Sequence, residues 1–262
     1  MSSDHASPPL LRHDRDGVVT LEMNRPQQYN ALSDALLEAL QGELDALRAD
    51  AAVRCVVLAG AGKAFCAGHD LREMRQQTEL DDHRALFARC SKVMEAIRTL
   101  PVPVIARVHG TATAAGCQLV ASCDLAIAAQ SARFAVSGIN LGLFCSTPAV
   151  ALSRNVLAKR AFDMLVTGRF IDAATAAEWG LINEAVADSD LDAAVDRLTT
   201  QITAKSMAAI RHGKALFYRQ LPMDLSEAYT CAGEVMSQNM LEPDACEGID
   251  AFIEKRPPNQ TR

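Results

Sequence analysis

Two patterns of apolar positions dominate the first half of the chain. Leucines recur at helical spacing at Leu36, Leu40, Leu44 and Leu47, whereas residues 55–58 form a continuous apolar run. Helical spacing predicts an amphipathic helix, and a short run without polar interruptions is typical of a strand that is covered on both faces. The chain is therefore predicted to contain a helix followed by a buried strand.

The same two patterns recur further along the chain. Apolar positions between Leu86 and Leu100 again have helical spacing, and further strands are predicted at residues 18–23, 104–108 and 125–128. Strands that alternate with helices at this spacing imply an α/β fold, in which a mostly parallel sheet carries helices on its faces.

From about residue 158 onward the pattern becomes almost wholly helical. Helical patterns in the tail cover residues 206–220, 224–240 and 243–255. We therefore expect a flexible leader at residues 1–16, an α/β core at 17–204 and a C-terminal helical region at 205–262.

The composition excludes several classes of partner. The 262 residues are 49% hydrophobic and 22% charged, with a formal net charge of −6, which is typical of one soluble globular domain. No dense run of Lys and Arg is present to neutralise phosphates, so we expect no nucleic-acid partner. The uncharged apolar stretches are shorter than the roughly 18 to 20 residues of a membrane span, so we expect no membrane partner.

The cysteines and the start of the chain bear on the cellular compartment. The eight cysteines include no Cys-x-x-Cys pair and no histidine at ligand spacing, so we interpret them as buried, reduced thiols and expect no metal. Residues 1–16 lack the apolar core of a secretory signal and, unlike a transit peptide, contain acidic residues. These observations predict a cytoplasmic protein.

Two glycine-containing loops lie where a strand runs into a helix, at residues 60–70 and 110–118. The first N–H groups of a helix have no acceptor within the helix, so such a loop can bind an anion. A glycine-rich turn is more often only a tight connection. Two such loops facing one carbonyl oxygen would stabilise negative charge on it, and the presence of both in one chain favours that interpretation.

Several segments, spaced in order along nearly the whole chain, resemble those of a known family. They are Asn24-Arg25-Pro26 with Asn30-Ala31-Leu32, Lys63-Ala-Phe-Cys-Ala-Gly-His-Asp-Leu-Arg-Glu-Met74, Val108-His-Gly-Thr-Ala-Thr-Ala-Ala-Gly-Cys-Gln-Leu119, Cys123-Asp-Leu-Ala126, residues 134–142 and Glu247-Gly-Ile-Asp-Ala-Phe-Ile-Glu-Lys-Arg256. With these segments the chain resembles the crotonase, or enoyl-CoA hydratase/isomerase, superfamily.

The resemblance implies a spiral of ββα units with a C-terminal helical region that builds a homotrimer or a hexamer. It also implies an acyl-CoA thioester as the ligand, with coenzyme A as part of the substrate and no separate cofactor. The thioester oxygen would lie between the backbone N–H groups of His69 and Ala115, which occupy the family's oxyanion positions.

In hydratases of this family, two glutamates transfer protons. At the matching positions this chain has Gln118 and Gly138, neither of which exchanges a proton near pH 7. A positioned acid or base typically contributes about 10²- to 10⁴-fold in rate, so we expect weak or altered hydration. Where some members carry a carboxylate further along, the chain has Cys145, Ser146 and Thr147.

Two functions therefore stay open. One is an enzyme of the hydratase/isomerase class that acts through a thioester enolate, and the other is a non-catalytic acyl-CoA-binding or regulatory protein. His69 could replace a missing acid, since an imidazole titrates near neutral pH, or it could contribute only its backbone N–H.

Matching positions also suggest which residues bind coenzyme A. Its phosphates call for local cations, although a basic side chain in these segments could equally be an ordinary solvated surface charge. The expected coenzyme contacts are Arg25, Tyr29, Ala64, Ala67, Arg72 and Lys255.

Overall fold

The computed structural model describes residues 7–259. Its strands are β1 (Leu10–Arg15), β2 (Val18–Met23), β3 (Cys55–Gly60), β4 (Ala64–Cys66), β5 (Val104–Val108), β6 (Thr111–Thr113), β7 (Leu125–Ala129), β8 (Arg133–Ala135), β9 (Ile171–Asp172) and β10 (Glu184–Val186). Its α-helices are α1 (Asp34–Ala49), α2 (Leu71–Gln76), α3 (Leu80–Thr99), α4 (Ala115–Ser122), α5 (Ser146–Leu152), α6 (Ala158–Thr167), α7 (Ala173–Trp179), α8 (Leu191–Thr203), α9 (Met207–Gln220), α10 (Leu225–Asn239) and α11 (Pro243–Ile253).

The strands form two sheets. The larger sheet has the order β1-β2-β3-β5-β7-β10 and the smaller one β4-β6-β8-β9. All neighbours pair in parallel except β1 with β2 and β8 with β9. The pairs β3–β4, β5–β6 and β7–β8 each place one strand in each sheet, and helices follow them. This repeat confirms the predicted spiral of ββα units.

Strand β3 shows why its apolar run is continuous. Val56 and Leu58 belong to the main core, whereas Val57 packs in a second cluster with Leu191 and Val195 of α8. Successive side chains of a strand point to opposite faces, so a strand with a core on each side needs apolar residues throughout. The prediction of a strand covered on both faces is confirmed.

The predicted leader is wrong for Leu10–Arg15, which forms β1. This strand pairs antiparallel with β2, from Leu10 with Met23 to Arg15 with Val18. Asp16 and Gly17 connect the two strands at φ values of 52° and 77°, as a tight two-residue hairpin turn requires. Strand β1 lies at a sheet edge, where charged side chains are common. In the sequence, these charges interrupt the apolar alternation that would have predicted a strand. Residues 1–6 of the predicted leader lie outside the described residues.

The C-terminal helical region is present, and its boundary at residue 204 falls between α8 and α9. Helices α9 to α11 bury little of their apolar surface in the isolated chain. The exposed fractions of Leu225, Tyr229, Leu241 and Phe252 are 74%, 73%, 82% and 84%. Exposed apolar patches of this kind mark interaction surfaces. No helix within residues 7–259 is long and apolar enough to cross a membrane.

A buried polar network fastens the C-terminal region to the core. Lys214 of α9 donates to Asp124 at 2.6 Å and to the carbonyl oxygen of Val102 at 2.9 Å. Tyr218, one turn further on, donates to the other carboxylate oxygen of Asp124 at 2.7 Å. Asp124 also accepts the N–H of Val104 at the start of β5. One carboxylate thus ties α9 to the start of β5, the strand that precedes the second glycine loop.

Removal of one partner from this network should destabilise the fold strongly. In Lys214→Met the carboxylate of Asp124 stays buried without its cation, and breaking a buried pair typically costs about 3 to 5 kcal/mol. Urea unfolding should report this loss in the free energy of unfolding. Lys205→Met, at an exposed position, is the control and should stay within about 0.5 kcal/mol. Equal stabilities of the two variants would contradict the role of the network.

Candidate active site

The two glycine loops lie directly against each other. A Cβ on Gly68 would be 2.9 Å from the Cβ of Ala114 and 3.3 Å from the nitrogen of Ala115. A Cβ on Gly116 would be only 2.1 Å from the carbonyl oxygen of Cys66. Gly68 also has a φ of 95°, which side chains rarely adopt. Both glycines are therefore required for the approach of the first loop to the start of α4.

The N–H groups of His69 and Ala115 are left free by the local structure. In the parallel bridge between Leu32 and His69, Leu32 donates to the carbonyl of Gly68 and Asp70 donates to the carbonyl of Leu32, so the N–H of His69 points to the other side. Ala115 is the first residue of α4, and no side chain caps this helix. Neither N–H has an acceptor among residues 7–259.

Asn30 supports the first loop, a role that the sequence analysis did not assign to it. It is fully buried at a φ of 54°, and its side-chain oxygen accepts the N–H of Arg25. Its side-chain nitrogen donates to the carbonyls of Ala61 and Ala64, each at 2.8 Å. The sequence signal was its place in the matching segment Asn30-Ala31-Leu32, and asparagine is a residue type that left-handed backbone favours.

Arg25 also supports the loop. Its guanidinium donates to Asp70 at 2.9 Å and to the carbonyl of Ala31. Asp70 caps α2 by accepting the N–H groups of Arg72 and Glu73. Burial alone would raise the pKa of Asp70, but these hydrogen bonds outweigh it and lower the pKa below its usual value. Arg25 is thus engaged within the protein, and a direct contact with coenzyme A stays a prediction.

Gln118 points into a cleft. The cleft has a volume of about 300 Å³ and lies between α3, α4 and α5. Gln118 is 5% exposed, and its side-chain oxygen has no hydrogen-bond partner among the described residues. Thr147 of α5 lines the same cleft. A larger cleft of about 340 Å³ lies between α9 and α10, and no residue of either glycine loop lines it.

Gly138 is packed too closely to carry a side chain. It lies in a short 3₁₀ turn, Ser137–Leu141, and its N–H donates to the sulfur of Cys145 at 3.3 Å. A Cβ there would be 2.6 Å from the carbonyl oxygen of Leu143 and 2.8 Å from that sulfur. The hydroxyls of Thr113 and Ser137, 2.8 Å apart, join this turn to the loop before Ala115. The residue is therefore near the second loop but does not line the Gln118 cleft.

The His69 side chain is poorly placed to supply protons near neutral pH. Its ring packs edge-to-face on Phe87, with centroids 5.5 Å apart, and its Nε2 is buried without a partner among the described residues. Burial lowers the pKa of His69 to about 4, although Asp34 opposes the shift. The imidazole is neutral at pH 7, so the proposed role of a replacement acid is weakened.

The other expected coenzyme contacts lie in different surroundings. Tyr29 is 56% exposed, and its carbonyl accepts the N–H of Ala67 at 3.0 Å. Ala64 is buried, and its carbonyl accepts a hydrogen bond from the side-chain nitrogen of Asn30. Arg72 and Lys255 are exposed and form no ion pair with any described residue. These roles stay predictions.

The thiols near the loops are not activated. Burial raises the pKa of Cys66 and of Cys117 to about 12, and it also raises that of Cys145. The eight cysteines are unpaired, and six of them are buried. Within residues 7–259 no group of three or more His, Cys, Asp or Glu side chains could hold a metal ion.

Comparison with known proteins identifies the family. The family model described as Enoyl-CoA hydratase/isomerase matches residues 13–262, nearly the whole chain. The chain belongs to the enoyl-CoA hydratase/isomerase family. A crystal structure of an enoyl-CoA hydratase from Mycobacterium smegmatis is 58% identical in sequence, has a TM-score of 0.95, and the match covers 96% of this chain and 98% of that chain.

Relatives with a different name are also similar. The crystal structure of human enoyl Coenzyme A hydratase domain-containing protein 3 has a TM-score of 0.93 and 42% identity, covering 96% of this chain and 100% of that chain. Mouse mitochondrial enoyl-CoA hydratase domain-containing protein 3 is 44% identical, covering 96% of this chain and 85% of the mouse protein.

The names of these relatives contradict the expected cytoplasmic location. The mouse, rat, frog and human proteins are all named mitochondrial. Reduced, buried thiols exclude only an oxidising compartment, so they could not distinguish the cytoplasm from another reducing compartment.

The contact between the loops can be tested with Gly116→Ala. Its methyl group would overlap the carbonyl of Cys66, so the loops must separate, and we expect a loss of several kcal/mol in the free energy of unfolding. Gly42→Ala in α1 is the matched control, because nothing lies within 4 Å of its added Cβ. The control should gain about 0.5 to 1 kcal/mol. Similar urea-unfolding curves for the two variants would contradict the close approach.

The buried His69 should make stability depend on pH. Between pH 4 and 6.5 the unfolded chain binds a proton on this imidazole and the folded chain does not. Stability contributed by the neutral ring is therefore lost as pH falls through this window. In urea unfolding, His69→Gln should lose less stability than the unmodified protein between pH 6.5 and 4. His13→Gln, at an exposed site, should keep the original slope. An unchanged slope in His69→Gln would refute the low pKa.

Proposed function

We propose that the chain binds acyl-CoA thioesters and stabilises negative charge on the thioester oxygen with the N–H groups of His69 and Ala115. The observation that carries the proposal is the pair of unused N–H groups on two loops that touch at Gly68 and Gly116. Membership of the enoyl-CoA hydratase/isomerase family supports the choice of ligand.

The chemistry of an unsaturated thioester explains the need for two donors. Addition of water or isomerisation moves electrons onto the thioester oxygen, so fixed N–H groups stabilise the enolate more than the starting thioester. Loss of one donor of this kind typically costs about 2.7 to 4 kcal/mol. Because the donors are backbone groups held by buried contacts, they need no reorganisation during the reaction.

Proton transfer is the weak part of the site. Gln118 cannot donate or accept a proton near pH 7, Gly138 has no side chain, and the imidazole of His69 is neutral and buried. We therefore propose weak or altered hydratase/isomerase activity. A non-catalytic acyl-CoA-binding or regulatory protein is the second candidate, and the absence of a carboxylate at both positions favours it.

The remaining ligand groups and the assembly complete the proposal. Arg72 and Lys255, as exposed cations without ion-pair partners among the described residues, would bind the phosphates of coenzyme A. A homotrimer or hexamer would cover the apolar side chains of α10 and α11, such as Leu225 and Phe252.

Binding and catalysis can be separated in one set of experiments. Isothermal titration should show that butyryl-CoA binds more tightly than coenzyme A, because only the thioester offers an oxygen to the two N–H groups. Arg72→Met and Lys255→Met should weaken both ligands at low salt, whereas Lys159→Met on α6 should not. Failure of both ligands to bind the unmodified protein would overturn the proposal.

In the same set, Gln118→Glu should raise the rate of crotonyl-CoA hydration about tenfold or more, since it restores one proton-transfer group. Gln118→Met, similar in size but without an ionisable group, should show no gain. Gly138→Glu is unsuitable as a partner variant, because its Cβ would clash with Leu143 and Cys145. If Gln118→Glu binds butyryl-CoA but hydrates no faster, the missing carboxylate does not limit the reaction, and the binding function is favoured.

A further inference from the structure

The Gln118 cleft has two chemically different ends. Gln118 lies near the start of α4, three residues after Ala115, and its unpartnered oxygen is buried at the cleft wall. Ala121 and Ser122 line the cleft one turn further along the same helix. The distance along α4 from Ala115 to Ser122 is about 10 Å, at about 1.5 Å per residue. Neither His69 nor Ala115 lines the cleft, which begins three residues beyond Ala115, at Gln118, and follows α4 toward its C-terminal end.

Two arginines lie at that far end. Arg98 of α3 stacks on the ring of Tyr218 at 4.2 Å, and Tyr218 binds Asp124, two residues beyond α4. Arg154 follows α5, and its neighbour Asn155 donates to the carbonyl of Ala121 at 2.8 Å. Both arginines line the cleft. These contacts place Arg98 and Arg154 beside the C-terminal half of α4, beyond Gln118.

Neither guanidinium is neutralised within the described part of the chain. Arg98 has the ring of Tyr218 as its contact, and Arg154 donates one N–H to the carbonyl of Val150 at 2.8 Å. No carboxylate of residues 7–259 forms an ion pair with either of them. Glu95 is the one acidic residue that lines the cleft. The cleft thus carries two positive charges and one negative charge.

The walls between the ends suit a hydrocarbon chain. Met94 from α3, Ala121 from α4, and Val150 and Ala151 from α5 line the cleft. An acyl chain that starts at Ala115 and follows α4 would pass these apolar side chains and end between the arginines. Planar guanidinium groups with free donors bind carboxylates well, since paired N–H groups match the two carboxylate oxygens.

From this arrangement we infer that the cleft takes an acyl group with a terminal carboxylate, so that the preferred ligand is the CoA thioester of a dicarboxylic acid. Arg98 and Arg154 bind the distal carboxylate, and the amide of Gln118 lies beside the chain near the thioester. The inference rests on the proposed function, because it assumes that the thioester oxygen lies at His69 and Ala115.

Pairs of ligands matched in length test the inference. Isothermal titration would compare adipoyl-CoA with hexanoyl-CoA, and suberoyl-CoA with octanoyl-CoA, because the members of each pair differ only at the chain end. We expect the carboxylate-bearing member to bind at least tenfold more tightly in one of the two pairs, as for a charge-assisted hydrogen bond.

Variants of the lining residues then show which side chains cause the preference for the dicarboxylic ligand. Arg98→Met and Arg154→Met should each weaken the dicarboxylic ligand about tenfold and change the neutral ligand less than twofold. Arg98→Lys should keep part of the preference, because it retains the charge but not the planar fork. Glu95→Gln should tighten the dicarboxylic ligand by removing a repulsive charge. Arg84→Met, at an exposed position of α3 outside the cleft, is the matched control.

The possible outcomes separate the two proposals. If both members of each pair bind equally and the arginine variants change nothing, the inference is refuted while the proposed function stands. If none of the four thioesters binds the unmodified protein, the proposed function itself fails. A preference for the dicarboxylic ligand that disappears in both arginine variants but persists in Arg84→Met supports the inference.

Discussion

The close approach of two backbone segments is the constraint on which the site depends. The carbonyl of Cys66 and the start of α4 are so near that no side chain fits at Gly116. Gly68 meets the same requirement from the other loop, with a backbone conformation that glycine adopts without strain. This contact fixes the separation of the two free N–H groups. The contact is made by backbone atoms and needs no side chain.

Buried polar contacts hold this arrangement in place. Asn30 ties the segment before α1 to the first loop. The ion pair between Arg25 and Asp70 holds the end of the same loop, where α2 begins. Asp124 and Lys214 secure the other side, where β7 and α9 meet. Each of these polar groups is paired, and an unpaired one would cost more than its hydrogen bond contributes. The loops that carry the two N–H groups are therefore held in place by paired polar groups on both sides.

Long elements could be predicted from the sequence, whereas short ones could not. Helices α1 and α3 and strand β3 carry enough apolar residues to show a period. Strands β4, β6 and β8 have three residues each, and their pairing is decided by tertiary contacts. For the site, a family resemblance pointed to Ala115 and Gln118. Arg98 and Arg154 reach the cleft only through the packing of α3 and α5 on α4, so no local signal marked them.

The environment of Gly138 limits how this chain could acquire a second carboxylate. The carbonyl of Leu143 and the sulfur of Cys145 already occupy the volume that a side chain there would need. A substitution of Gly138 by any larger residue would therefore cause steric overlap, whatever chemical group the new side chain carried. A glutamate at position 138 would require residues 143–145 to be repacked at the same time, so a substitution of Gly138 alone would not supply a usable carboxylate.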